Sequence, residues 1–130
     1  MAEARPTGPE IAPRETVILA EDPARLVAWY RDRLGFSVSR EFSEDYHYTN
    51  LESSAGMKIG IADAREMGIT PGDRKNATVV PQIEVEDVAA FLAHVTEGGG
   101  STTFGPSFDE KGQFAYGAFS DPEGNPFWVV

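Results

Sequence analysis

The stretch Ser120-Asp-Pro-Glu-Gly-Asn-Pro-Phe-Trp-Val-Val130 decides the fold. Asp121 to Asn125 reads as a tight turn: Pro122 presets φ, and Gly124 or Asn125 takes positive φ at low cost. Phe127-Trp-Val-Val130 is aromatic and β-branched, a good strand. Phe114-Ala-Tyr-Gly-Ala-Phe119 before the turn is its partner, so the two form a hairpin.

Working backwards, Gly98-Gly-Gly100 stops a helix that Asp87 caps and that carries Val88, Phe91, Leu92 and Val95 on one face. An earlier helix repeats the design. Asp22 caps it, Pro23 takes its first position, Leu26, Trp29, Tyr30 and Leu34 share a face, and Gly35 ends it. Gly35 and Gly100, Asp22 and Asp87, and Glu15 and Val80 are all separated by 65 residues (100 − 35, 87 − 22, 80 − 15). That constant offset marks an internal duplication. Strands are expected at 15–21, 36–42, 47–52 and 57–62, then at 77–86, 101–104, 114–119 and 125–130. Each half is therefore a βαβββ module. The modules span 15–62 and 77–130, and the Gly- and Pro-bearing segment 63–76 links them, with one helical turn near Ala64 to Met67. Residues 1–14, with Pro6, Pro9 and Pro13 and few large apolar side chains, read as a flexible arm.

Composition narrows the function. The 130 residues suit one domain, and 41% hydrophobic with 25% charged residues is ordinary for a globular protein. A net charge of −10 argues against nucleic acid, whose phosphates it would repel. No apolar run is long enough for a membrane span, and no signal-peptide pattern is expected. The absence of cysteine excludes disulfides and thiolate chemistry and fits a cytoplasmic protein.

Asp121-Pro-Glu-Gly-Asn125 followed by aromatics, together with Asp22…Trp29-Tyr30…Leu34-Gly35-Phe36, resembles the vicinal-oxygen-chelate superfamily, which includes glyoxalase I, bleomycin-binding proteins and extradiol dioxygenases. The resemblance implies an α+β fold: two tandem βαβββ modules forming a cupped, mixed eight-stranded sheet, with the helices on its outer face. It also implies a homodimer. Members that use a metal hold it with His, Glu or Gln on four strands. The matching positions here are Glu15, about Gly60, Val80 and Trp128, a single donor among four. Shifting by one residue brings in Val79, Pro81, Phe127 or Val129, none of them a ligand. The expectation is no metal and no cofactor.

Alternation along the strands names the side chains sharing the cup. These are Glu15, Val17 and Leu19; Val80, Gln82 and Glu84; and Pro126, Trp128 and Val130. From the third strand come Tyr48 and Asn50, or else His47 and Thr49; from the seventh, Tyr116 or Phe114. The candidate ligand-binding residues are Glu15, Tyr48, Gln82, Glu84, Tyr116 and Trp128, suited to a small organic molecule that is cationic or aromatic. Trp128 is equally readable as filler of a solid core. His94, off the apolar helix face, reads as a surface residue. The function expected is small-molecule binding of the bleomycin resistance type. The alternatives are a metal-dependent or acid–base lyase, isomerase or dioxygenase with Glu15 or His47 as candidate catalytic base, and a structural dimer module.

Overall fold

The computed structural model describes residues 8–130. Residues 1–7 of the expected arm lie outside the described residues; residues 8–12 are exposed. The elements run β1 (Thr16–Ala20), α1 (Pro23–Leu34), β2 (Ser37–Phe42), β3 (Tyr48–Glu52), β4 (Lys58–Asp63), β5 (Gln82–Ile83), α2 (Val88–Glu97), β6 (Ser101–Phe108), β7 (Ala115–Ser120) and β8 (Pro126–Val129). A 3₁₀ turn, Arg74–Asn76, lies between the halves. The strands form two mixed four-stranded sheets, ordered β1-β4-β3-β2 and β5-β8-β7-β6. Each is one βαβββ module, with its first strand parallel to its last.

Local chemistry explains the helices. Asp22 Oδ1 accepts the Arg25 amide at 3.2 Å, and Asp87 Oδ1 accepts that of Ala90 at 3.0 Å. Both carboxylates thus satisfy amides that lack a helical partner. Gly35 adopts φ +76° as the left-handed residue after α1. The helix α1 packs on β1, β3 and β4, while α2 packs on β6 and β7. One core joins both modules, with Tyr30, Leu51 and Ile59 on one side and Leu92, Phe119 and Phe127 on the other. The rings of Phe119 and Phe127 stack with centroids 5.0 Å apart.

The hairpin turn at 121–125 is also the clasp between the modules. Asp121, only 2% exposed, accepts the amides of Glu123 and Asn125 at 2.9 and 3.0 Å, and then the hydroxyl of Tyr30 from α1 at 2.8 Å. Burial raises its carboxyl above the usual aspartate range, and the Asn125 and Tyr30 hydrogen bonds oppose that rise. Glu123 reaches across to accept the Glu21 and Asp22 amides at 2.8 and 2.9 Å, just where α1 begins. Trp29 Nε1 donates to the Gly98 carbonyl at 3.0 Å, and Arg33 Nε to that of His94, also at 3.0 Å.

Two elements differ from the sequence expectation. Of residues 77–86, only Gln82–Ile83 forms a strand. Pro81 has no N–H to donate, although its carbonyl accepts from Trp128 N, and Val79 is 89% exposed. β6 in turn extends to Phe108, through register shifts between Thr102 and Phe104 and between Phe104 and Ser107.

Candidate functional site

Each sheet has one face against the helices and one away from them. On β1, Ile18 and Ala20 are buried while Val17 is 53% exposed, so Glu15, Val17 and Leu19 share the open face. On β3, Leu51 is buried, which places Tyr48 and Asn50 on the open face and settles the third-strand alternative in their favour. On β8, Phe127 and Val129 are buried and Trp128 is 58% exposed. Tyr116 and Ala118 share the open side of β7 because Phe119 is buried.

Strand register shows that the two open faces are equivalent. In the first sheet, Val17, Gly60, Asn50 and Arg40 stand side by side across β1, β4, β3 and β2. In the second, Gln82, Trp128, Ala118 and Phe104 form the same row across β5, β8, β7 and β6. Gly60 and Trp128 are therefore corresponding positions on the last strand of each module, yet the two rows carry different chemistry.

The first face is polar and internally satisfied. The carboxylate of Glu15 accepts the Tyr48 hydroxyl at 2.9 Å and the Asn50 amide at 2.8 and 3.1 Å. Its side chain is only 9% exposed, and the guanidinium of Arg14 lies 3.5 Å away. Gly60 makes this possible, since a Cβ there would overlap both the Tyr48 hydroxyl and the Glu15 carboxylate. Burial first, and then the hydrogen bond to Glu15, push the Tyr48 hydroxyl up to about 12. The adjoining cavity, about 470 Å³, is lined by Arg14, Arg40 and Lys58 as well as by Glu15 and Glu52. Three cations thus face two carboxylates there, a local positive excess despite the acidity of the whole chain.

The second face is aromatic. A cavity of about 400 Å³ is lined by Trp128, Phe104, Tyr116, Gly117, Ala118, Val130 and Gln82, and its surface is almost wholly apolar; the polar groups these side chains carry are the Gln82 amide, the Tyr116 hydroxyl and the Trp128 indole N–H. Phe104 and Phe114 each stack on Tyr116, with centroids 5.9 and 6.0 Å apart and ring planes within 26°.

The structure thus brings Gln82, Tyr116 and Trp128 together, and separately Glu15 with Tyr48. The two cavities share no lining residue. Glu84 is exposed beyond the end of β5 and lines neither. His47 lies outside both groups: its ring Nδ1 pairs with Glu66, and its side chain is 66% exposed. His94 Nε2 bonds the Arg33 carbonyl at 2.7 Å, between the helices. Phe104 and Ala118, which the sequence reading did not name, emerge only when strand register is known.

The donor set does not suit a metal ion. Of the four positions, Glu15 already holds two hydrogen-bond donors, Gly60 has no side chain, and Val80 and Trp128 offer no ligand atom. Among the described residues no group of three or more His, Cys, Asp and Glu could hold one. Nor, among them, is any helix long and apolar enough to cross a membrane.

A sequence-family model described as Glyoxalase/Bleomycin resistance protein/Dioxygenase superfamily matches residues 13–129. No curated protein matches the chain. Among solved structures, the chain is similar to hypothetical protein SA1046 from S. aureus, at TM-score 0.72 and 16% identity, covering 93% of this chain and 94% of that one. A superfamily member from Sphaerobacter thermophilus aligns at TM-score 0.70 and 23% identity over 92% of this chain and 97% of that one. TnmS3, an antibiotic binding protein from Streptomyces sp. CB03234, aligns at TM-score 0.67 and 18% identity over 92% and 97%. At these identities the likeness establishes the fold alone.

Proposed function

We propose that this chain, which belongs to the Glyoxalase/Bleomycin resistance protein/Dioxygenase superfamily, is a small-molecule binding protein that works without a catalytic metal. One observation carries the reading. The last-strand position that supplies a ligand in metal-using relatives is Trp128 here, and it opens onto an aromatic cavity instead of closing a donor set. A concave apolar site with a few polar groups is the usual make-up of a small-molecule pocket. The description of TnmS3 as an antibiotic binding protein is consistent with this role. We carry over from the family resemblance that the working unit is a homodimer, and from the cysteine-free composition that it acts in the cytoplasm.

The proposed guest is aromatic rather than cationic. Glu15 is already engaged by Tyr48, Asn50 and Arg14, and Arg40 and Lys58 face the same cavity, so a cation there would meet positive neighbours.

The test is a thermal-shift screen of small organic molecules, run on protein dialysed against chelator and on protein loaded with zinc, manganese or iron. A guest present at a hundred times its Kd stabilises by about 2.7 kcal/mol, which is readily seen as a shift in Tm. The reading expects organic guests to raise Tm equally with and without metal. Binding or turnover that requires the metal would overturn it.

A further inference from the structure

We propose that the open face of the second sheet is a slot over Ala118 that admits one flat, uncharged ring system between Trp128 and the Phe104–Tyr116 pair. The inference rests on the small-molecule reading above and gives that site its ligand class. The slot arises from the row Gln82–Trp128–Ala118–Phe104. Ala118 is the only small side chain in that row, and aromatic residues stand on the strands to either side of it. Adjacent strands lie about 4.8 Å apart, so the strands carrying Trp128 and Phe104 are about 9.6 Å apart across Ala118. A ring in van der Waals contact on both faces needs about 7 Å, the sum of two ring–ring separations. The row therefore has room for one planar guest and no second layer. Any larger side chain at position 118 would occupy the gap.

The walls are ready for such a guest. Trp128 is 58% exposed, Phe104 52% and Tyr116 36%. Phe104 is held by stacking on Tyr116 of the neighbouring β7, which itself stacks on Phe114 along that strand, so the three rings fix one another. Offset stacking on such rings adds to what area burial alone contributes. Among the described residues no carboxylate or ammonium lines the cavity. A charged guest would lose hydration without gaining a partner, whereas a neutral ring loses little. The cavity wall itself is almost wholly apolar, so a hydrogen bond to a carbonyl or N–H on the guest's edge comes from the amide of Gln82, exposed beside Trp128 at the end of the row, turning inward. The volume of about 400 Å³ limits the guest to about two or three fused rings, at the small end of the range for ligand pockets.

The experiment uses acridone, a neutral three-ring carbonyl compound, and N-methylacridinium, a cation with the same ring system. Binding is followed by calorimetry and by quenching of tryptophan emission. Trp29 is buried in the core at 8% exposure, so the quenched fraction reports Trp128. The full chain is expected to bind acridone at least tenfold more tightly than N-methylacridinium. Ala118→Leu should weaken acridone at least tenfold and leave the thermal midpoint of the free protein unchanged. Gln82→Leu should weaken acridone about threefold to tenfold. The slot is refuted if acridone does not bind, if Ala118→Leu binds it like the parent, or if the cation binds as tightly. It is also refuted if Ala118→Leu or acridone dissociates a dimer, because a second copy of the chain would then be the occupant. A compound from the screen that binds independently of Ala118→Leu but is lost in Glu15→Gln would refute the slot alone and leave the small-molecule reading standing.

Discussion

The chain has two tryptophans at opposite extremes of exposure, and truncating each to alanine separates an open binding face from a solid core. Trp128 is 58% exposed, so about 0.4 of a side chain of roughly 250 Å² is withdrawn from water, or ~100 Å². At about 25 cal/mol per Å² that amounts to ~2.5 kcal/mol. The alanine Cβ retains part of it, and compactness of the unfolded chain removes a further ~10–40%, which leaves a cost of about 1.5 kcal/mol for Trp128→Ala. Trp29 is 8% exposed, and its indole N–H also satisfies the Gly98 carbonyl. The same arithmetic, together with a carbonyl left without its donor, puts Trp29→Ala at about 4–5 kcal/mol, within the range for aromatic truncations in cores. Urea unfolding followed by far-ultraviolet circular dichroism measures both, since neither signal nor slope depends on the residue removed. The expected gap between the variants is at least about 2 kcal/mol, with Trp128→Ala the milder. If Trp128→Ala costs as much as Trp29→Ala, Trp128 fills a core, and both the open face and the binding role assigned to it are wrong.

Three further outcomes test other parts of the structure. Glu123→Ala removes the two hydrogen bonds that the Glu21 and Asp22 amides donate across the modules and a negative charge at the start of α1, and should cost about 2–3 kcal/mol in the same unfolding assay; a loss under about 0.5 kcal/mol would mean that the clasp contributes nothing beyond an ordinary surface residue. The Tyr48 hydroxyl, pushed up to about 12 in the fold, should remain protonated when an unfolded tyrosine has begun to ionise near pH 10. Because the folded value is the higher one, its contribution to stability is fully present below about pH 10 and is lost as pH rises through about 12. Glu15→Gln should move the tyrosinate absorbance transition part of the way back and no further, since burial is the larger cause; a transition that does not move would show that Glu15 and Tyr48 are not paired. Deleting residues 1–12 should leave stability unchanged; a loss above about 2 kcal/mol, the scale of one buried large side chain, would show that the arm packs on the domain or on a partner subunit.

What was legible in the sequence was what local chemistry writes. The capping aspartates and terminal glycines of the two helices act within a few residues of themselves, so the offset of 65 between them exposed the duplication and the βαβββ module without any knowledge of contacts. Alternation along single strands likewise put Glu15, Tyr116 and Trp128 on the open faces, since facing is set by the period of two. What was not legible depends on partners distant in the chain. Glu123 reads as a turn residue, and only the docked modules show that its carboxylate closes the start of α1 some hundred residues away. The length of β5 depends on which of its carbonyls and amides β8 can meet, not on the apolar pattern of residues 77–86.

The register carries the most consequence. Duplication gave both modules the same four-strand row, and the two copies then took opposite solutions to the same gap. In the first, glycine at position 60 admits the Tyr48 hydroxyl and the Glu15 carboxylate, which satisfy each other, so little hydrogen-bonding capacity is left to attract a guest. In the second, the corresponding position is Trp128, and the space passes one strand over to Ala118, where no side chain fills it. A satisfied polar cluster gains little from a new partner, because each hydrogen bond formed replaces one already made. An exposed aromatic wall gains the full area it buries. The difference in side chains at two equivalent positions therefore predicts an asymmetric molecule, with the second module taking the guest and the first holding the fold. Exchanging the chemistry tests this directly: Trp128→Gly should abolish acridone binding, whereas Glu15→Gln should leave it within about twofold, well inside the factor of ten that 1.4 kcal/mol represents. If the two substitutions weaken acridone equally, the two faces act as one site and the division of labour between the modules does not exist.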